Sequence, residues 1–371
     1  MKLALIANTS WYLYNFRRSL IKKLIEKGHT VYVIAPKDNY SRKLVESGAI
    51  FIHWDVGRTN INPMSEFLSL LRLNRVLQQS KIHLVLSYTP KGNIHASLSC
   101  LFRRKRILNN ISGLGVSVTE KSPVSFILYH LYRFILRFSA LVFFQNNDDK
   151  ELILSGLPEG IIKAGSLPGS GVDINEFSKD SESSAPRFNF LLSARLLEEK
   201  GVYDYVEAST IVRRIYPTAT FAIAGQIERY HTSAINQAEL DEWHQVNNVE
   251  YLGFTDDIKS FLRETTCFVL PSYYGEGVPR GLLEAASMAK PIITTNHPGC
   301  KDAVDDKRSG FLCQIKNPKD LADKMLKILN MPKYDLRTMG LNGREKMVKE
   351  FSEEIVINKY LSAIRKHEND N

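Results

Sequence analysis

The chain has 371 residues, 44% hydrophobic and 24% charged, with 49 Lys+Arg against 40 Asp+Glu for a net charge of +9. Its length exceeds the usual size of one domain and predicts two domains of roughly 150–200 residues, of ordinary soluble globular composition. Four cysteines, Cys100, Cys267, Cys300 and Cys313, show no CxxC or Cys/His ligand spacing. They read as reduced core thiols of a cytoplasmic protein and exclude a Cys-based metal motif.

Along the first half, Met1–Asn8 is apolar but too short for a secretory leader and without a cleavage site, so it reads as a first β-strand. Apolar runs follow at Thr30–Ala35, Ile50–Trp54, His83–Tyr88, Ile107–Ile111 and Leu141–Gln145. Helical patterns lie between most of them, at Phe16–Lys27, Ser65–Gln79 and Phe126–Arg137. The most hydrophobic stretch, Val124–Phe144, is interrupted by His130, Arg133 and Arg137, which excludes a bilayer span. The second half repeats the alternation. Strands are expected at Asn189–Ser193, Thr218–Ala224, Val249–Gly253, Cys267–Pro271, Pro291–Thr295 and Gly310–Gln314, with helices such as Tyr203–Ile215 and Asp257–Thr265 between them.

Alternation of this kind predicts an α/β fold: two doubly wound, parallel-sheet, Rossmann-like domains facing each other across a cleft that holds the ligands at the strand carboxyl ends. The periodic pattern breaks near Ser166–Arg187, where Gly, Pro, Ser and charged residues take over. The expected domains are therefore 1–170 and 187–345, with the tail 346–371 ending in a helix that packs back toward the first domain.

Charge is uneven. Residues 1–165 hold 23 Lys+Arg against 10 Asp+Glu, a net +13, and the remainder holds 26 against 30, a net −4. The run Arg103-Arg104-Lys105-Arg106 follows the apolar Leu98–Phe102, and Phe126–Phe138 mixes Phe, Leu, Ile and Tyr with arginine. Either an anionic membrane surface or a solvated basic face beside a core helix accounts for the pattern. Nucleic acid is not expected, because the aromatic residues fall at helical spacing beside leucines rather than on an exposed stacking platform.

The most informative segment is Pro271-Ser-Tyr-Tyr-Gly-Glu276-Gly-Val-Pro-Arg-Gly-Leu-Leu-Glu284. It leaves a buried strand and enters a helix near Pro279, a residue suited to the first turn. The free N–H groups and positive dipole end there seat a phosphate. One carboxylate in the loop and one in the helix then stand on either side of it, as hydroxyl partners. Phosphate between two polyols is a nucleotide-sugar. Arg195 and Lys200, after another predicted strand, are placed to neutralise a diphosphate, although alone such a pair reads more readily as solvent-facing. Gly225 permits close backbone approach, and Phe254 either stacks on a base or packs in the core.

Taken in order, Arg195…Lys200-Gly201, Gly253-Phe254 and Glu276-Gly277-x-Pro279-x4-Glu284-Ala285 resemble the family-four retaining glycosyltransferases of the GT-B fold. The resemblance implies that Glu276 contacts the transferred sugar, that Glu284 contacts the ribose, and that Arg195 and Lys200 bind the diphosphate. It further implies that the backbone of Gly277, Val278 and Pro279 lies against the donor. Tyr14-Asn15-Phe16-Arg17, Tyr88-Thr-Pro-Lys91-Gly-Asn93 and Ile111-Ser112-Gly113-Leu114-Gly115 are similar to one branch, which extends O-antigen, capsule or glycoprotein-type oligosaccharides on undecaprenyl diphosphate. On that resemblance Asn15, Arg17, Lys91 and Ser112 lie on the acceptor side. The first loop departs from the family in lacking its Gly-Gly pair.

The expectation is thus a hexosyltransferase using a UDP-sugar and a polyprenyl-diphosphate-linked glycan, with α-1,3-linked N-acetylgalactosamine as the transfer suggested by the branch. It would work peripherally at the cytoplasmic face of the inner membrane. No Asp-x-Asp occurs, so no metal is expected, and Arg195, Lys200 and the helix dipole supply the counter-charge. No carboxylate stands out as a nucleophile, which favours a front-face reaction in which the leaving diphosphate takes the acceptor proton. Two alternatives remain: a nucleotide-sugar 2-epimerase of the same fold, and a non-enzymatic membrane or nucleic-acid binder.

Overall fold

The computed structural model describes residues 1–57, 62–114, 123–179, 186–228 and 231–368. They form two compact units, Met1–Ser170 with Glu353–Asn371, and Gly171–Ser352.

The first unit is built on a seven-stranded sheet of order β3-β2-β1-β4-β5-β6-β7. Its strands are β1 (Lys2–Ile6), β2 (Thr30–Ala35), β3 (Ile50–His53), β4 (Leu84–Ser87), β5 (Arg106–Ile111), β6 (Leu141–Phe144) and β7 (Ala164–Ser166). All pairings are parallel, with Leu3 opposite Val31 on one side and Leu84 on the other. Because side chains alternate across a strand, Leu3, Leu5 and Ala7 join one core with the first and last helices, while Ala4 and Ile6 join the other with helices Pro63–Gln79 and Pro90–Arg103. Helix Pro123–Leu136 covers Ile111, Val142 and Phe144 on that second face.

The second unit has six parallel strands of order β10-β9-β8-β11-β12-β13. They are β8 (Phe188–Ser193), β9 (Phe221–Ala224), β10 (Val249–Tyr251), β11 (Thr265–Leu270), β12 (Ile292–Thr295) and β13 (Gly310–Cys313). Helices Val202–Ile215 and Pro318–Asn330 cover one face, and helix Arg280–Ser287 with Met347 and Phe351 the other. The strand order reverses between β8 and β11, the place where α/β sheets open a crevice at the strand ends.

Three expectations are corrected. The first helix runs Ser10–Glu26, because Thr9 caps it by accepting the Tyr12 N–H. Ser10 to Asn15, expected in the loop ahead of the helix, are therefore helical. β7 was not foreseen: Ala-Gly-Ser has no apolar run, and the strand forms by edge pairing to β6, where Gly165 leaves room for the Phe143 ring. The stretch after Gly171 is core as well as connector, since Val172 and Phe177 are buried in the second unit and the Val172 N–H bonds the Phe351 carbonyl.

The tail helix Glu353–Arg365 belongs to the first unit, where Val356, Tyr360 and Ile364 are buried and Asn110 donates to the Tyr360 hydroxyl at 2.9 Å. Among the described residues, no helix is long and apolar enough to cross a membrane.

Candidate active site

β8 and β11 are neighbours in the sheet, so the loops leaving their carboxyl ends meet. The β8 loop makes a short 3-10 turn, Glu198–Lys200, and is stopped by Gly201 at φ +74°. A side chain at Gly201 would strike the Pro271 carbonyl, so only glycine lets the turn settle on the end of β11. The Tyr273 N–H then donates to the Glu199 carbonyl at 2.8 Å, and the Ser272 hydroxyl to the same oxygen at 3.3 Å.

This zipper delivers Lys200 to Glu276. The Lys200 ammonium donates to Glu276 Oε1 across 76 residues of sequence, with the two side chains only 6% and 20% exposed. Ser272, fully buried, shares its one hydroxyl proton between the Glu199 carbonyl and this same carboxylate oxygen, 3.2 Å away. A third loop closes beneath: the Thr295 hydroxyl donates to the Ser272 carbonyl, and Gly299, at φ +79°, lies so close to the Gly277 carbonyl that no Cβ fits. Cys300 sits under this junction, its thiol pushed up to about 12 by burial and by the Glu276 charge, against the opposing pull of Lys200. It is an inert wall of the site.

The Tyr274 ring gathers the cations. The Arg195 guanidinium lies 5.3 Å and the Lys200 ammonium 4.9 Å from its centroid. Both basic residues thus converge on one loop. Gly277, Val278 and Pro279 are buried, Val278 in the core, so their main chain is what they offer a ligand. Pro279 is the cap residue, and the helix begins at Arg280, one residue later than expected. Glu284, one turn in, is fixed by Arg280 Nε at 2.6 Å. Gly225 holds φ +152° against the Ala194 carbonyl and joins the ends of β8 and β9. Phe254 is 51% exposed, which rules out core packing.

Ser272, Arg280, Gly299 and Cys300 were missed as site residues. The Arg280/Glu284 spacing of four was the one signal available for any of them.

In the first unit the expected acceptor-side residues behave differently. Asn15 bonds the Trp11 carbonyl within its own helix. Arg17 is 1% exposed, caged by Tyr12, Tyr88 and Tyr360 with its guanidinium 4.6 Å from the Tyr88 ring, so it cannot touch an acceptor directly; packing, not contact, is its role. Lys91 pairs with Glu66 at 2.6 Å, and Glu66 also reaches His95 at 3.2 Å. Ser112 follows β5 and is half-buried. Gly115, in the same motif, lies outside the described residues.

Two family patterns match the chain. That described as Glycosyl transferases group 1 matches residues 173–346, and that described as Glycosyl transferase 4-like matches residues 2–146. The chain belongs to the glycosyltransferases.

This glycosyltransferase is an enzyme of the hexosyltransferase kind, with the GT-B pair of parallel sheets. It is 26% identical to the N,N'-diacetylbacillosaminyl-diphospho-undecaprenol alpha-1,3-N-acetylgalactosaminyltransferase of Campylobacter jejuni over 97% of both chains. It is 24% identical to the UDP-Gal:alpha-D-GlcNAc-diphosphoundecaprenol alpha-1,3-galactosyltransferase of Escherichia coli, over 81% of this chain and 82% of that one. Its fold matches the sucrose-phosphate synthase of Thermosynechococcus elongatus with a TM-score of 0.81 over 100% of both chains at 16% identity.

Proposed function

We propose that this glycosyltransferase moves a hexose from a UDP-sugar to a sugar carried on polyprenyl diphosphate, in the assembly of a bacterial surface polysaccharide such as O-antigen. N-acetylgalactosamine in α-1,3 linkage is the first choice, after the Campylobacter relative. The Escherichia coli relative supports a UDP donor and a lipid-diphosphate acceptor. The observation that carries the reading is the Lys200–Glu276 pair at the sheet reversal, beside Arg195 and a helix start.

In this reading the diphosphate lies between Arg195, Lys200 and the first turn of helix Arg280–Ser287. Glu276 takes the sugar hydroxyls, Glu284 takes the ribose, and Phe254 lies beside the base. The two cations stabilise charge building on the leaving diphosphate, and the site needs no metal for that purpose. The departing phosphate oxygen accepts the acceptor's proton on the same face from which the new bond forms, so the anomeric configuration is retained. The enzyme works at the cytoplasmic face of the inner membrane, where its acceptor resides.

The test is a screen of UDP-hexoses with a polyprenyl-diphosphate-linked sugar, reading product linkage and anomer by NMR, with a parallel run lacking acceptor. An α-linked product is expected. Epimerised donor without acceptor, or no transfer from any UDP-hexose, contradicts the proposal.

A further inference from the structure

Helices Pro63–Gln79 and Pro123–Leu136 lie on one face of the first sheet, each packed against helix Pro90–Arg103. On helix 63–79 the inward side is Ser69, Leu73 and Leu77, which satisfies its share of the core. A second apolar row, Met64, Phe67, Leu68 and Leu71, continued by Arg75, stands exposed on the opposite side. Helix 123–136 repeats the arrangement. Tyr132, Ile135 and Leu136 are buried, while Phe126, Ile127 and Phe134, in line with His130 and the exposed Arg137, face outward. Phe102, 68% exposed, ends the helix between them and opens the run Arg103–Arg106.

A soluble helix ordinarily buries one stripe and turns charge to water. Here two helices are apolar on both sides, and the charge that the three helices themselves carry is mostly positive. The segments 63–79, 90–106 and 123–137 contain one acidic residue, Glu66, against nine Lys and Arg. Glu66 is turned inward, paired with Lys91 and His95. Arg72 is balanced by Asp55 and Lys91 by Glu66, and an excess of cations remains. Exposed rings and aliphatic chains rimmed by such an excess fit a surface that is hydrocarbon below and anionic at its edge. A protein partner would not need cations of a single sign on all three helices.

We infer that this three-helix face is the docking surface for an anionic phospholipid bilayer, with the rows Met64–Leu71 and Phe126–Phe134 lying in the headgroup layer parallel to the membrane. This deepens the proposed function, since it rests on that reading for the purpose of docking, a lipid-borne acceptor. Helices 63–79, 90–103 and 123–136 all begin at the strand carboxyl-end edge of the sheet, where α/β ligands sit, so a face-down seat brings that edge to lipid level.

The full chain is sedimented with vesicles of phosphatidylglycerol and phosphatidylcholine, and with phosphatidylcholine alone. Wild type is expected to bind the anionic vesicles, less so in high salt. Two double variants on separate helices, Phe67→Ser with Leu71→Ser and Phe126→Ser with Phe134→Ser, should each weaken binding roughly tenfold or more. Arg75→Gln with Arg137→Gln should weaken it about thirtyfold at low salt and little at high salt. All three should melt with wild type, because the altered side chains are exposed.

Wild type that ignores anionic vesicles, variants that bind as wild type, or self-association through this face without vesicle affinity would each overturn the inference. Vesicle binding persists if the proposed transfer reaction is wrong. Conversely, transfer to a short-chain, water-soluble prenyl acceptor persists in the variants if only docking is wrong.

Discussion

The Lys200 ammonium rests on the Glu276 carboxylate although 76 residues separate them, and the lysine is nearly sealed from solvent. A buried cation needs an anion. In the free enzyme Glu276 supplies it, and in the proposed donor complex the diphosphate would supply a second. Glu276→Ala therefore strands Lys200 and should cost about 3 kcal/mol of stability without ligand. Adding UDP restores an anion to Lys200, so the UDP-induced rise in melting temperature should be larger in the variant than in wild type. Equal melting temperatures and equal rises would show that the pair does not carry this charge balance.

That pairing was not legible in the sequence, for a physical reason. Strand and helix runs are local, and the buried parallel strands announced themselves as continuous apolar runs such as Cys267–Leu270. Adjacency of β8 and β11 is a property of sheet order, which no local pattern encodes. From the sequence both residues read as separate ligand contacts rather than as each other's partner. Glu66 carries no local signal, because its partners Lys91 and His95 sit 25 and 29 residues away and meet it only after two helices pack. The sequence pattern places the first helix six residues late, since Ser-Trp-Tyr-Leu-Tyr-Asn looks like a polar-aromatic loop and only the fold shows Thr9 capping it.

Two glycines with the same backbone should respond differently to alanine. Gly299 and Gly156 both hold φ in the left-handed region, at +79° and +67°. A Cβ at Gly156 meets nothing, so Gly156→Ala should cost only about 1–2 kcal/mol of backbone strain. At Gly299 it meets the Gly277 carbonyl, so Gly299→Ala must also displace the loop carrying Glu276. Transfer activity should survive in the first and fall by at least roughly tenfold in the second. Comparable activity in the two variants would separate Gly299 from the site.

Asp149 predicts a pH dependence of stability. Burial raises its carboxyl from 3.8 to about 6, against the hydrogen bond from Asn146. The folded protein therefore holds this proton more tightly than the unfolded chain. The resulting stabilisation is complete below about pH 4 and is lost as pH rises through about 6. Asp149→Asn removes the titration. It should be more stable than wild type by roughly 2–3 kcal/mol above pH 7 and no more stable below pH 4. Denaturant unfolding of both proteins across pH 4–8 measures the difference, and parallel curves would refute it.

Phe254 offers a large exposed ring at the end of β10, with no core role to lose. Phe254→Ala should leave the melting temperature unchanged and raise the donor KM by roughly fivefold to a hundredfold, the range for loss of one base stack. A drop in melting temperature with an unaltered KM would reverse the assignment.

If Lys200 and Arg195 grip a nucleoside diphosphate, calorimetric titration with UDP shows it most directly. Wild type is expected to bind one UDP per chain, with Lys200→Met and Arg195→Met each weakening it by roughly 1.5–3 kcal/mol, tenfold to more than a hundredfold. Absence of UDP binding by wild type, or undiminished binding by both variants, would contradict it.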